Sequence, residues 1–198
     1  MTDDVTGATF DHEDLHGEEW TDRTFTDCTF VEADLSEIRT RRTVFDGCDF
    51  TGANLGRSVH RASAFRNCHF ERTHLGRVDM ADCTLVGSMI TGCRTTAMSL
   101  VDSDLTLVSM GECDLGGVTL TGCRLREANV SGSTLAKSDL SGADLTGLRA
   151  IGAVLDGADL RGARCDPALW LQTSAVGTRV DPAQAIEFAI AHGLRIGD

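Results

Sequence analysis

Hydrophobic residues recur at every fifth position along most of the chain. Of the 31 positions spaced by five from 10 to 160, 27 carry Leu, Phe, Met, Ile, Val or Trp, and the exceptions are Thr40, His60, Thr95 and Ala150. No insertion or deletion interrupts this register. A period of five fits neither an amphipathic helix nor a flat strand, so each unit is predicted to be a short extended piece followed by a corner.

The residues around these central positions are just as regular. The position two residues before each centre, here called the small position, holds Ala, Ser, Thr, Cys or Val at 26 of 32 sites. The position two residues after the centre, here called the corner position, is often glycine, as at Gly47, Gly52, Gly142 and Gly147. Because tight turns favour glycine, the chain is expected to coil with central and small side chains inside.

A second period of 20 residues sets the number of units in a coil. The pairs Phe25/Phe30, Phe45/Phe50 and Phe65/Phe70 are 20 residues apart, which predicts four units per coil and phenylalanine stacked on phenylalanine. The predicted fold class is an all-β solenoid, a quadrilateral β-helix over residues 1–165. About eight coils at roughly 4.8 Å per layer give a rod of about 38 Å.

The five-residue pattern fades after Ala163, and helix signals appear over residues 166–198. Asp166-Pro167 and Asp181-Pro182 each have the form of an N-cap followed by the first helical residue, and Gly193 is the expected stop. The second helix must bury an apolar stripe, either on its own rod end or against a second copy of the chain. The residues offered as a candidate dimer interface are Ile186, Phe188, Ala189 and Ile190.

Individual units, such as ADLTG, ADLRG, CDFTG and ANLGR, resemble the A(D/N)LXX consensus of pentapeptide-repeat proteins. The stretches SVHRASAFRNCHFERTHL, LTGCRLRE and DPALWLQTSAVGTRVDPAQAIEFAIAHGLRI are similar to the Qnr/MfpA group of that family. The resemblance covers almost the full chain. It implies a right-handed quadrilateral β-helix, homodimerisation through the C-terminal helical segment, and binding to DNA gyrase by imitation of DNA, with modulation or inhibition of the enzyme and protection from fluoroquinolones. Unlike several Qnr relatives, this chain has no insertion that would form a projecting loop.

Charge is distributed unevenly. The net charge of -12 argues against a nucleic-acid partner, and the first 40 residues alone hold 12 acidic and two basic residues. Aspartates immediately before a centre follow the repeat consensus and carry no functional information. The candidate partner-facing acidic residues are therefore those outside that position: Glu18, Glu19, Asp22, Asp27, Glu32, Glu37, Asp82, Asp102 and Glu112. A candidate basic patch interrupts them at Arg39, Arg41, Arg42, Arg57 and Arg61.

No residue constellation predicts catalysis, a metal or a cofactor. Seven of the eight cysteines fall on small positions, where a buried thiol acts as a compact hydrophobe, and Cys165 falls on a central one. His60 is interpreted as a core substitution above Thr40, and the spacing of His12, His16, His69 and His74 does not converge on one ion. The chain is predicted not to be an enzyme.

The N-terminal residues are acidic and contain no apolar run, so neither a membrane span nor a secretory signal is predicted, and a cytoplasmic location is expected. Two hypotheses about function remain. The first is a DNA-mimicking protein that binds gyrase, and the second is a structural or adaptor solenoid that binds another protein through one face, with the basic patch as its surface.

Overall fold

The fold is a four-sided parallel β-solenoid of about eight turns, followed by two short helices. The structure, a computed structural model, describes residues 4–197. The strands are β1 Asp4–Thr6, β2 Glu19–Thr21, β3 Thr24–Thr26, β4 Arg39–Arg41, β5 Val44–Asp46, β6 Val59–Arg61, β7 Ala64–Arg66, β8 His69–Glu71, β9 Asp79–Ala81, β10 Met89–Thr91, β11 Ser99–Val101, β12 Asp144–Leu145 and β13 Arg164–Cys165. The helices are α1 Ala168–Gln172 and α2 Pro182–Ala191.

Every coil lies in register on the coil 20 residues earlier. On the first face the strands pair in the order β1-β3-β5-β7, and further up β12 pairs with β13. The second face contains β8 and β10, and the fourth contains β2, β4, β6, β9 and β11. Isolated parallel bridges, such as Asp34↔Asn54, continue the same ladder over the third face. The predicted period of 20 is therefore confirmed, since each central residue lies one layer from its counterpart.

The central side chains form the core, and the phenylalanine columns lie where the 20-residue period places them. Phe45 stacks between Phe25 and Phe65 with ring centroids 5.1 and 4.8 Å apart. Phe50 stacks between Phe30 and Phe70 with both centroid distances at 5.0 Å. These rings are buried, and the neighbouring columns meet edge to face, which is a favoured arrangement for aromatic rings.

The backbone conformation at the corner positions explains why glycine recurs there. At all 32 corner positions from 7 to 162 the backbone φ is positive, with glycine at 14 of them and another residue type at the remaining 18. An L-residue in this left-handed region is disfavoured by about 1–2 kcal/mol relative to the right-handed region. Glycine avoids this strain, so its recurrence is a local requirement of the corner.

The aspartate before each centre also has a local role. The Asp49 carboxylate accepts a hydrogen bond from the Thr51 backbone N–H at 2.8 Å, and Asp139 accepts one from the Ser141 N–H at 2.9 Å. The same bond recurs along the rod, because the backbone N–H after each centre points away from the ladder. Hydrogen bonding from Ser141 lowers the pKa of Asp139. These consensus aspartates stabilise turns, as the sequence pattern indicated.

Cysteines fill small positions in the wall of the core. All eight are free, six are buried, and Cys93 and Cys165 are half-buried. Their thiols donate to backbone carbonyls, as from Cys48 to the Phe25 oxygen at 3.4 Å. Burial raises the pKa of Cys123 to about 12, so this thiol stays protonated at neutral pH. The interpretation of these cysteines as packing residues is confirmed.

His60 occupies the core within a small polar cluster on the fourth face. Its Nδ1 lies 2.7 Å from the Thr40 hydroxyl and its Nε2 lies 2.8 Å from the Ser58 hydroxyl. The Thr40 hydroxyl donates to Ser63, so it accepts from His60, which assigns the proton to Nδ1. The imidazole is 1% exposed, and desolvation lowers its pKa to about 3. His60 is therefore a neutral structural residue with both nitrogens paired.

This burial makes stability depend on pH. The unfolded chain protonates His60 below its ordinary pKa of 6.5, whereas the folded chain does so only near 3, so the free energy of unfolding falls as pH decreases between those values. The contribution is at most about 1.4 kcal/mol per pH unit. Urea denaturation at pH 7, 6, 5 and 4 should show this dependence reduced in His60→Leu. The exposed-site variant His69→Asn should keep the wild-type slope, and equal slopes for all three proteins would contradict the assignment.

Candidate partner-binding surfaces

The acidic candidates lie mainly at the edges of the rod. Seven of the nine occupy corner positions with φ between 50° and 59°. They are Asp22, Asp27, Glu32, Glu37, Asp82, Asp102 and Glu112. Since glycine would remove strain at each of these sites, the fold does not require the carboxylates there. This separates them from the consensus aspartates, whose turn hydrogen bonds explain their presence.

These seven residues do not form one patch. The register places Asp22, Asp82 and Asp102 on the edge between the fourth and first faces, whereas Asp27, Glu32 and Glu37 lie one on each of the other three edges. Acidic residues therefore surround the first coils and are not confined to one face of the rod.

Arginines of the next coil neutralise part of this charge. Arg42 Nε donates to Asp22 at 2.6 Å, and Arg57 Nε donates to Glu37 at 2.8 Å, each pair joining corners 20 residues apart. The Arg42 hydrogen bond lowers the pKa of Asp22. Exposed pairs of this kind contribute at most about 1 kcal/mol to stability.

Glu18 and Glu19 have different surroundings from the corner acids. The Glu18 carboxylate accepts a hydrogen bond from the Trp20 indole N–H at 2.8 Å, which satisfies the polar atom of a buried ring. Glu19 points outward from β2, next to Arg39 of β4 in the strand register. Glu18 thus has a structural partner, and Glu19 contributes charge to the fourth face.

The predicted basic patch does converge on one face. Arg39 and Arg41 are outward residues of β4, and Arg61 follows Arg41 in register on β6. Arg42 and Arg57 occupy the two edges that bound this fourth face. Arg61 pairs with the Asp79 carboxylate at 2.6 Å. A shallow groove of about 690 Å³ runs along the face and is lined by Arg39, Arg41, Arg42 and Arg61 together with Glu19 and Asp82.

At the other end of the rod the chain continues its four-sided path beyond residue 165. Bridges join Val154 to Ser174 and Asp159 to Arg179, so α1 occupies part of one further coil. Asp166 does not act as an N-cap, contrary to the sequence pattern. Pro167 is the N-cap residue of α1, and the Asp166 carboxylate instead accepts a hydrogen bond from the Gly147 N–H at 2.7 Å, tying α1 to the coil below.

Helix α2 begins and ends as expected. The Asp181 side chain accepts from the Gln184 N–H, and the Gln184 side chain accepts from the Asp181 N–H, which completes a capping box with Pro182 behind it. Gly193, with φ +83°, follows the C-cap residue His192. The local signals at this helix therefore predicted its bounds.

One polar side chain holds α2 on the rod. Gln184 is buried, and its Nε2 donates to the Leu160 carbonyl at 2.7 Å and to the Ala163 carbonyl at 2.8 Å. Backbone carbonyls at the end of a solenoid lack the next coil that would pair with them. Gln184 supplies such a donor to the Ala163 carbonyl and adds a second hydrogen bond to the Leu160 carbonyl, which also accepts from the Ala163 N–H. The apolar stripe gave no reason to expect this role.

The predicted dimer residues lie on α2, and two of the four are largely exposed. Ile186 and Ile190 are 46% and 56% exposed, whereas Ala189 is half-buried. Phe188 packs edge to face on Trp170 at a centroid distance of 5.7 Å and remains partly exposed. Further exposed apolar residues of this end, which the sequence pattern did not single out, are Leu171 of α1 and Val176, Leu194 and Ile196 outside the helices. The exposed apolar residues of this end, including Ile186 and Ile190, are here called the apolar end surface.

Within residues 4–197, no group of three or more His, Cys, Asp or Glu residues is placed to hold a metal ion. No helix among the described residues is long and apolar enough to cross a membrane.

The geometry defines a parallel β-solenoid of five-residue units with a helical end, and the sequence comparisons agree with this class. Models described as pentapeptide repeat region and pentapeptide repeats match residues 18–95, 113–147 and 138–166, which together make up more than half of the chain. The chain therefore belongs to the pentapeptide-repeat family. No curated protein matches it in sequence.

Solved structures extend the likeness to the whole rod. A trypsin-treated variant of QnrB1, a plasmid-mediated fluoroquinolone resistance protein, superposes with a TM-score of 0.88 at 22% identity, covering 100% of this chain and 99% of that one. Full-length QnrB1 superposes with a TM-score of 0.73 at 21% identity, covering 96% and 100%. At this identity the likeness establishes the shared fold.

The role of Gln184 can be tested with an isosteric change. Gln184→Glu keeps the oxygen that accepts from the Asp181 N–H but removes both Nε2 donor bonds. The Ala163 carbonyl then loses its hydrogen bond from Gln184, and the Leu160 carbonyl keeps only the turn bond from the Ala163 N–H. We expect destabilisation of about 1–3 kcal/mol, with faster hydrogen exchange in α2. Glu187→Gln, an exposed change of the reverse chemistry on the same helix, should leave both measurements unchanged. Identical exchange in the two variants would refute the anchoring role.

Proposed function

We propose that this protein binds DNA gyrase as an acidic, DNA-like rod, modulating or inhibiting the enzyme and protecting it from fluoroquinolones. The observation that carries the proposal is the set of corner carboxylates. They occupy positions where glycine would relieve strain, and they project from the edges of a regular rod with net charge -12. The fold likeness to QnrB1, a fluoroquinolone resistance protein, supports the proposed protection from fluoroquinolones.

The spacing of charge suits competition for a DNA-binding groove. Layers about 4.8 Å apart repeat along the rod, and two rods joined end to end would span roughly 80 Å. Such a pair would carry twice the net charge of -12, or about one charge per 3.3 Å, against about one per 1.7 Å in duplex DNA. This partial imitation attracts a basic groove, most strongly at low salt.

Four of the corner acids are available to such a partner. Asp27, Asp82, Asp102 and Glu112 make no ion pair with another residue in the described part of the chain, unlike Asp22 and Glu37. Asp82 and Asp102 lie one coil apart on the same edge. These carboxylates are therefore free to pair with an external cation.

Supercoiling by purified gyrase tests the proposal directly. The protein should slow supercoiling and reduce drug-stabilised DNA cleavage when a fluoroquinolone is present. The double variant Asp82→Asn with Asp102→Asn should need about tenfold more protein for the same effect, because it removes two unpaired edge charges while Asn tolerates the corner backbone.

A matched control variant removes the same number of charges from positions that follow the repeat consensus. Asp139→Asn with Asp144→Asn also removes two charges, but Asn is the other consensus residue there, so we expect a small effect. Equal losses for the two double variants would show that only net charge matters. No change in supercoiling or cleavage with micromolar wild-type protein would reject gyrase as the partner.

We also propose that the protein is a homodimer through the apolar end surface. Gln184 fixes α2 on its own rod while Ile186 and Ile190 stay exposed, so the stripe is left for a second copy. Ile186 and Ile190 lie one helical turn apart, and an exposed apolar patch on a helix is typical of an interface. An isologous contact between two such ends would also cover the open edges of both solenoids.

Replacing Ile186 and Ile190 by Asp should halve the solution mass measured by sedimentation equilibrium, because each copy would bury two charges in the interface. Glu187→Gln on the same helix should leave the mass unchanged. An unaltered mass in the double Asp variant would exclude this interface.

The arginine face favours a second candidate, an adaptor that binds another protein. Arg39 and Arg41 project from one strand into a groove that an acidic segment would fit. The groove also contains Glu19 and Asp82, and Arg61 is paired with Asp79, so its positive charge is largely balanced. The acidic edges therefore support the gyrase proposal better.

A further inference from the structure

Two exposed apolar side chains lie close together in the middle of the rod, one at an edge and one beside it. Within residues 4–165 the large hydrophobic residues that are exposed are Met89, Leu107 and Ile151. Leu107 occupies the corner between the first and second faces, one coil above Gly87. Met89 is an outward residue of β10 on the second face and bridges Ser109, two residues after Leu107. We call Leu107 and Met89 the edge pair.

Leu107 is unusual in both its backbone conformation and the exposure of its side chain. Its φ is +62°, although glycine occupies the same edge at Gly47, Gly87 and Gly147. Its side chain is 53% exposed, so the strain brings little burial in return. Among the 32 corners from 7 to 162, every other non-glycine residue is polar, charged or alanine. A strained residue that the fold does not require indicates a role outside the fold.

The surroundings of the edge pair point to a protein partner. The edge is convex, so two side chains on it cannot enclose a small molecule, but they can enter a pocket on another surface. Glu127 lies at the next corner above, and the chain carries a net charge of -12, which opposes contact with an anionic membrane. Projecting apolar side chains that fill a partner's pocket are typical of interface hot spots.

We propose that Met89 and Leu107 insert into an apolar pocket of gyrase and anchor the rod there. This proposal rests on the proposed function. The corner acids surround the rod and repeat along it, so they attract a basic groove without selecting one axial position. Electrostatic complementarity of this kind mainly increases the rate of association. The edge pair is a single feature on the rod, and its insertion fixes which coil faces the groove.

The variant Leu107→Gly distinguishes a role of Leu107 in partner binding from a role in protein stability. Glycine suits the positive φ, so the melting temperature should stay the same or rise, whereas the concentration of protein that half-inhibits supercoiling should increase about tenfold. A structural residue would show the opposite pattern, with lower melting temperature and unchanged inhibition. Leu107→Met, which keeps an apolar side chain of similar size, should retain wild-type inhibition.

Ala97→Gly is the matched control, because Ala97 is an exposed corner residue with φ +56° and no large side chain. It should change the melting temperature as Leu107→Gly does and leave inhibition unaltered. Wild-type inhibition by Leu107→Gly would overturn the anchor alone and leave the proposed function standing. A lower melting temperature in Leu107→Gly than in Ala97→Gly would also overturn it. Absence of inhibition by the wild-type protein would overturn both proposals, before any variant is compared.

Discussion

The in-register stacking of coils is the constraint on which the rest of the structure depends. Each backbone layer pairs with the layer 20 residues away, so one inserted residue would shift every later side chain between core, wall and corner. Stacking also brings like residues together, as in the phenylalanine columns. The sequence keeps its five-residue register from Phe10 to Leu160 without an insertion, so each coil can pair with the next along its whole length.

Corners are the positions at which the fold leaves the choice of residue most open. Most central and small positions are buried, and consensus aspartates such as Asp49 are bonded to the turn. A corner accepts residues as different as Asp, Arg and Leu at the cost of left-handed strain, about 1–2 kcal/mol relative to the right-handed region for an L-residue. Carboxylates such as Asp82 and Asp102, and the apolar Leu107, occupy such sites. They are the residues that the fold alone does not explain.

The C-terminal end of the rod combines a capped edge with an exposed apolar surface. A solenoid exposes unpaired backbone groups at its last coil, and here Gln184 of α2 donates to one of them, the Ala163 carbonyl, and also to the Leu160 carbonyl. This polar attachment leaves the apolar residues of α2 outside, notably Ile186 and Ile190. A helix that closes its own rod through a glutamine therefore still offers an apolar surface to another molecule, which reconciles the two alternatives that the stripe alone left open.

The sequence by itself determined the solenoid, its 20-residue coil, the role of its cysteines and the bounds of α2, because each follows from a short-range pattern that repeats or from a capping motif. It located the arginine face for the same reason, since those residues share a register. Only the tertiary structure decided that Asp166 bonds to Gly147 and that Gln184 caps the rod. Those contacts join residues about 20 positions apart through space, and local patterns do not encode them.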